Sequence, residues 1–207
     1  MFNNNKEQYW ENVHSKKSEN EVSWFQKYPT DSIELIKSLN LNLNANIIDV
    51  GAGESRLVDN LIELGFTNID VLDISVCAIK KAKRRLGKKS SIINWIVSDV
   101  NEFVPTKKYD LWHDRAAFHF LTSKKHIKNY ISLTSNNTST NGKLILATFS
   151  LNGPMKCSGL DVTRYSKESL IKEFKNHFTL INSFITSHLT PFNTFQEFLF
   201  ISFKKKS

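Results

Sequence analysis

Acidic side chains recur along one stretch of the chain, each directly after a short apolar run: Asp49, Asp73, Asp99 and the pair Asp114-Arg115. Asp49 opens the segment Asp-Val-Gly-Ala-Gly at 49–53. There, glycine lets the backbone approach a ligand that a Cβ would hold off. Just beyond, Ser55 stands where a helix opens, and helix-terminal N–H groups can face a carboxylate. Asp73 ends the next apolar run, where an acidic side chain accepts hydrogen bonds from ribose hydroxyls. Asp99, one run further, is placed to meet the exocyclic amine of an adenine, with the backbone at Val100 close to the ring. A Gly-x-Gly turn alone serves many strand-to-helix connections, and one carboxylate alone more often caps a helix. Three carboxylates in one register imply an adenosine.

A second set of residues offers groups for an acceptor. His113, Arg115 and His119 follow the fourth apolar run, and Cys157, Arg164 and Tyr165 follow the fifth. Arg115 suits an anion, or pairs with Asp114. His119, between Phe118 and Phe120, is a candidate base or a packed, hydrogen-bonded residue. Cys157 is a candidate acceptor contact or a small buried hydrophobe. Trp10, Trp24 and Phe25 precede the first run, and their ring faces attract positive charge or staple a helix to the core.

These groups need a frame that brings them to one edge. From about residue 45, short β-branched runs alternate with helical patterns, which predicts a parallel sheet covered on both faces. Strands are expected at 46–50, 69–73, 92–97, 109–113 and 143–149, the last after a turn at Asn141-Gly142. Helices are expected at 57–64 with Gly65 as C-cap, at 76–86 between Ser75 and Gly87, and at 124–135. A Gly-containing loop at 151–161 precedes a helix opening at Ser166. Two strands, 179–188 and 195–203, then form a hairpin around the turn at 190–194, adding an antiparallel strand to the sheet. The expected fold is α/β: a three-layer sandwich around a seven-stranded, mostly parallel, Rossmann-like sheet with an antiparallel last strand. One domain is expected over 1–207, with a helical lid at 1–44, a cofactor core at 45–150 and a substrate loop, helix and hairpin at 151–207.

At these residues the sequence resembles the class I S-adenosylmethionine-dependent methyltransferases. Ile-Ile-Asp-Val-Gly-Ala-Gly at 47–53 looks like their first motif, and Val-Leu-Asp-Ile-Ser at 71–75 like the acidic motif after the second strand. Ser-Asp-Val at 98–100 looks like the adenine motif and Tyr-Asp-Leu at 109–111 like the fourth-strand motif. Asn-Gly-Lys at 141–143 stands where the family often has Pro-Gly-Gly. The segments at 9–11, 21–25, 112–115 and 156–159 are similar to a small bacterial subgroup. The resemblance implies S-adenosylmethionine as cofactor, contacted by Trp10, Asp49, Gly51, Ala52, Gly53, Ser55, Asp73, Ile74, Ser75, Asp99, Val100 and Asp114. It implies catalytic roles for His119 and Arg115, and acceptor contacts at Trp24, His113, Cys157 and Arg164. The chain departs from the family at Ser55, which replaces the usual third glycine after Glu54, so the way the methionine carboxylate is held is left open by the resemblance.

The 207 residues, 40% apolar, carry a net charge of +8. A basic surface can attract nucleic acid. Arginine, however, is confined to 56, 84, 85, 115 and 164, and the lysine-rich runs at 80–89 and 204–206 read as solvated surface. Cys77 and Cys157 have no metal-ligand spacing, so no metal is expected. No apolar stretch reaches membrane-spanning length, and the polar start gives no signal peptide, so a cytoplasmic protein is expected. The expected acceptor is a small molecule, anionic or thiol-like. A protein lysine, or a non-catalytic role as a cofactor-binding module of an RNA-modifying complex, are the alternatives.

Overall fold

β-Branched runs and capped helices alternate through the chain, and a computed structural model, which describes residues 3–206, assembles them around one sheet. Helices α1 (Asn3–Lys16) and α2 (Thr30–Ser38) precede β1 (Asn46–Val50), α3 (Leu57–Glu63), β2 (Asn68–Asp73), α4 (Val76–Leu86), β3 (Ile93–Val97) and β4 (Tyr109–Arg115). Then follow α5 (Lys124–Asn137), β5 (Thr138–Phe149), a two-stranded hairpin of β6 (Lys156–Cys157) and β7 (Leu160–Asp161), α6 (Lys167–Phe174), β8 (Phe178–Leu189) and β9 (Phe195–Lys205). The starts of α4, α5 and α6 follow from side-chain caps. Ser75 Oγ accepts the Ala78 N–H at 3.1 Å, Ser123 Oγ that of His126 at 3.2 Å and Ser166 Oγ that of Ser169 at 3.2 Å.

The strand order is β3-β2-β1-β4-β5-β9-β8, and β9, antiparallel to both neighbours, alone runs against the others. Successive side chains of each strand enter opposite layers. Ile47, Val71, Leu111 and Ile145 pack under α2 and α3, while Ile48, Leu72, Trp112 and Leu144 pack against α5 and α6. Each fully buried aliphatic or aromatic side chain contributes about 1.5–3 kcal/mol.

The register sets the functional edge. Val50 pairs with Leu72 on one side and Asp114 on the other, and Asp73 pairs with Val97, so the carboxyl ends of β1 to β4 finish together. One expectation is corrected: β5 starts at Thr138, directly out of α5, rather than at Lys143. Asn141, with φ 63°, kinks the strand where its register against β4 slips between Tyr109 and Leu111. The turn signal is real, but it makes a bulge inside a longer strand. Among the described residues no helix is long and apolar enough to cross a membrane.

Candidate active site

The carboxyl ends of β1, β2 and β4 form the floor of a cavity of about 330 Å³, and α1 forms its roof. Gly51 and Gly53 turn the chain at the floor with φ of 63° and 54°. A Cβ on Gly51 would stand 2.4 Å from the Ala117 Cβ, so the loop after β4 packs where only glycine fits. Asp73 is buried beside this turn. One carboxylate oxygen accepts the Gly53 N–H at 2.7 Å and the other the Ser75 N–H at 2.8 Å. A carboxylate has about four acceptor positions, so two remain for the hydroxyls of a ribose. Burial pushes the Asp73 carboxyl upward, while His14 and the two amides oppose that shift. Along the wall lie Ile74, Asp99 and Val100. Asp99 Oδ1 accepts the backbone N–H and the side-chain amide of Asn101 at 2.8 and 2.9 Å, which fixes the carboxylate in place.

The roof is latched to α4 by charges. The Glu11 carboxylate accepts from the Ser75 hydroxyl at 2.7 Å and the Cys77 N–H at 3.0 Å, capping α4 from another helix. Lys81 of α4 donates to the carbonyls of His14 and Lys17 at the end of α1 and to Glu54 at 3.2 Å. His14 Nδ1–H donates to the same Glu54 carboxylate at 3.1 Å. On the far side, the Tyr9 hydroxyl donates to the carbonyl of Ser158 at the tip of the β6–β7 hairpin. Helix α1 therefore spans the cavity from one rim to the other. Trp10 sits beneath it, edge-on to Phe120 at 5.1 Å and to Trp24 at 5.9 Å.

Of the residues expected from sequence, the structure brings Trp10, Trp24, Gly51, Gly53, Asp73, Ile74, Asp99, Val100, Arg115 and Cys157 onto this cavity. Cys157 is buried, and its thiol is pushed up to about 12 by that burial, so it remains protonated. Asp49, Ala52, Ser55 and His113 line a separate chamber of about 40 Å³ behind the glycine turn. Ser55 Oγ is occupied by the Leu57 N–H at 3.1 Å, and α3 has only seven residues, so the expected helix-terminal carboxylate site is not formed there.

Several expectations are corrected by burial. Ser75 is fully buried as the cap of α4, between Glu11 and Ala78. Asp114 is fully buried. It accepts the N–H groups of Ala117 and Phe118 at 3.0 Å and the Tyr130 hydroxyl at 2.6 Å, so it shapes the loop after β4 and does not face a cofactor. Burial raises its carboxyl to about 6. His113 faces neither cavity end used by an acceptor: its Nδ1–H donates to Asp49 at 2.7 Å and its Nε2 lies 3.0 Å from Ser32 Oγ. Arg164 donates to the carbonyls of Leu151 at 2.6 Å and Gly153 at 3.2 Å, which ties down the loop after β5 from outside.

His119 is not placed as a base. Its ring is fully buried behind Phe120, and Nδ1 accepts the Phe149 N–H at 3.3 Å. Burial, helped by the Arg115 charge, pushes its imidazole down to about 3. Between that value and the ordinary 6.5, the unfolded chain binds a proton that the folded one does not, so stability falls as the pH is lowered through this window. By pH 5 the loss is about 2 kcal/mol from this residue. His119→Gln keeps an acceptor for Phe149 and removes the titration. Urea unfolding at pH 7 and pH 5 is expected to show a pH-dependent loss smaller by that amount in the variant. An equal loss in both proteins would contradict the assignment.

Sequence reasoning missed His14, Glu11, Glu54 and Lys81. His14 follows Trp10 by four positions and so shares its helix face, a signal that was legible. Lys81 and Arg85 belong to the run expected to be solvated. Arg85 instead donates to Asp59 at 2.7 Å and to the carbonyls of Glu54 and Ser55, bracing the turn.

A glycine turn, two carboxylates at or just beyond strand ends and an aromatic roof at the edge of the β3-β2-β1-β4-β5-β9-β8 sheet define a nucleoside-binding α/β site. The model of the family described as "Methyltransferase domain" matches residues 41–199. The chain therefore belongs to that family, the class I S-adenosylmethionine-dependent methyltransferases, and its cofactor is S-adenosylmethionine. A curated relative, malonyl-[acyl-carrier protein] O-methyltransferase 2 of Ilyobacter polytropus, is 34% identical over 87 residues, covering 42% of this chain and 33% of the relative. The match thus spans about a third of the relative's length. Among solved structures, the N-methyltransferase NodS of Bradyrhizobium japonicum WM9 with S-adenosyl-L-homocysteine aligns with TM-score 0.72 at 16% identity, over 96% of this chain and 99% of that one. The 1,6-didemethyltoxoflavin-N1-methyltransferase of Burkholderia thailandensis, with bound 1,6-didemethyltoxoflavin and S-adenosylhomocysteine, aligns with TM-score 0.68 at 16% identity, over 94% of this chain and 81% of that one.

The residues present fit this cofactor. The backbone passes the floor without a Cβ, Asp73 has acceptor capacity to spare, and Asp49 Oδ2 is buried without a partner in the adjoining chamber. Bound here, S-adenosylmethionine supplies an electrophilic methyl group on a sulfonium.

Proposed function

We propose that the protein transfers this methyl group by in-line displacement to a small acceptor, an anion or a thiol, at the end of the cavity bounded by Trp10, Trp24, Phe120, Leu160 and Cys157. The acceptor's lone pair forms the new bond as the sulfur–carbon bond breaks, and the electron pair leaves on sulfur. The observation that carries the reading is the roof. Helix α1 meets the β6–β7 hairpin through Tyr9 and Ser158, so the acceptor end is a largely apolar pocket covered on one side by a helix. Such a pocket suits a small molecule held by a few polar groups. The aromatic rings favour a cation beside them, and the pocket aligns the acceptor with the methyl group, which supplies much of the rate in this kind of displacement.

The available chemistry narrows the acceptor. An amine or hydroxyl needs a group to take its proton, whereas a carboxylate or thiolate does not. His119 stands behind the wall, and among the described residues the carboxylate bordering this end, Asp161, is an exposed side chain 3.4 Å from Lys156. A relative named as a malonyl-[acyl-carrier protein] O-methyltransferase agrees with an oxygen acceptor. The test is release of S-adenosylhomocysteine with panels of small carboxylates, thiols and amines. Turnover with carboxylates or thiols is expected. Turnover confined to amines would contradict the acceptor class, and cofactor binding without turnover in cell extract would favour a non-catalytic module.

A further inference from the structure

The amino ends of the parallel strands form the other rim of the sheet, roughly 20 Å from the cavity along the seven residues of β4. The fold gathers six lysines there: Lys108 before β4, Lys143 in β5, Lys204, Lys205 and Lys206 at the end of β9, and Lys175 after α6. Lys143 and Lys204 are direct cross-strand partners, and like charges so placed destabilise a sheet. Burial pushes the Lys143 ammonium below its ordinary range and Lys204 adds to that; Lys205 is lowered in the same way, by burial and then by Lys108. Among the described residues none of the six forms an ion pair. Some have uncharged partners. Lys108 and Lys206 donate to the carbonyls of Asn136 and Lys175, at the ends of α5 and α6, where a cation suits the helix dipole. Lys143 donates to the Asn141 carbonyl at 2.6 Å, and Lys205 lies over the Phe178 ring at 5.4 Å. Lys175 and Lys204 are exposed, and among the described residues their ammonium groups make no hydrogen bond. Carbonyls and a ring leave the charge of the patch uncancelled. The run 204–206, which reads as ordinary solvated surface in the sequence, is one part of a larger cationic rim.

We propose that this rim is a docking surface for a nucleic-acid duplex, held through its phosphodiester backbone. The composition of the patch selects the partner. Protein interfaces are depleted in lysine and anchored by aromatic residues and arginine. The chain's arginines belong to the start of α3, to α4, to the far end of β4 and to the segment before α6. The exposed Phe192 and Phe195 sit at the turn between β8 and β9, the opposite end of that hairpin. Lysine ammonium groups, as point charges, neutralise phosphates and release their counterions without reading bases. The strands β4, β5, β9 and β8 are successive neighbours about 4.8 Å apart, so the patch spans roughly 14 Å, about four base-pair steps of a duplex. A duplex on this rim leaves the cavity free. The nucleic acid then localises the protein and is not its methyl acceptor, so the inference stands apart from the acceptor class.

The test is fluorescence anisotropy of the full chain with a labelled DNA duplex of about 20 base pairs, in two unrelated sequences. Binding is expected to weaken about 200-fold between about 50 and 200 mM salt, a slope of log affinity on log salt of about −4, with both sequences equal within about twofold. Replacing Lys143, Lys175 and Lys204 together by glutamine is expected to lower that slope by about one per lysine and to weaken binding about 30-fold at low salt. The control removes the same charge elsewhere: Lys124, Lys125 and Lys128, exposed at the start of α5, are replaced by glutamine, and affinity is expected to stay within about threefold. Equal weakening by both triple variants would show that net charge alone attracts the duplex and would overturn the proposal. So would absence of binding, binding insensitive to salt, or a preference above about 10-fold for one sequence, which marks base reading. Polyglutamate that displaces the duplex from the wild type at equal charge would assign the rim to an acidic protein instead. The salt slope and that competition use the unaltered chain, so the outcome does not depend on a variant that folds.

Discussion

Asp73→Ala lowers the affinity for S-adenosylmethionine by about 10- to 100-fold, corresponding to the ~1.5–3 kcal/mol of hydrogen bonds to a charged acceptor. Two effects act together. The ribose hydroxyls lose their acceptor, and the N–H groups of Gly53 and Ser75, held at 2.7 and 2.8 Å in the wild type, lose theirs. Asp73→Asn separates them. The amide oxygen can serve one of the two backbone N–H groups, but its NH₂ then faces the other, so an intermediate loss is expected. Because burial raises the Asp73 carboxyl, acidification protonates it above the ordinary carboxylate range, and affinity falls as pH is lowered toward that point. Calorimetric titration across pH 5 to 8 checks both the variants and the trend. Undiminished binding by Asp73→Ala would contradict the placement of the ribose.

Gly51→Ala carries the largest expected structural penalty. The residue has φ 63°, and its new Cβ would meet the Ala117 Cβ at 2.4 Å, well inside contact distance. Backbone strain of about 1–3 kcal/mol adds to overpacking of about 1–3 kcal/mol. For a chain of this size that lowers the melting temperature by roughly 4–24 °C. Gly87→Ala is the control. Gly87 has a similar φ of 56° with nothing within 4 Å of its Cβ, so only the strain remains. Thermal unfolding of the two variants should separate them, with Gly51→Ala lower. Equal shifts would show that Ala117 yields without cost and that the close approach at the floor is unimportant.

The frame was legible because parallel strands buried on both faces leave plain runs of β-branched residues, and serines and glycines mark helix ends. The strand Asn46–Val50 and the helix Val76–Leu86 have the bounds read from sequence. The floor of the site was legible for the same reason: strand ends in register bring Asp73 and Asp99 to one edge. The buried polar groups were not. His113, Asp114 and His119 have the side chains of catalytic residues, yet their partners, Ser32, Tyr130 and Phe149, lie 16 to 81 positions away. Local spacing carries no record of such pairs. Helix α1 fails for a related reason: Glu11 and Lys81 look like ordinary solvated charges until the fold sets them 2.5 to 3.1 Å from each other's helix termini. His119 as base and Arg164 as rim contact are the errors this produced.

The most direct test of methyl transfer to a small acceptor is partition of label by size. The full chain is incubated with methyl-labelled S-adenosylmethionine and cell extract, and the products are separated into protein, nucleic acid and small-molecule fractions, with Asp73→Ala as control. Label is expected in the small-molecule fraction, carried by an ester or thioether, and reduced with the variant. Label concentrated in one protein band or in RNA, and lost with the same variant, would contradict the acceptor assignment.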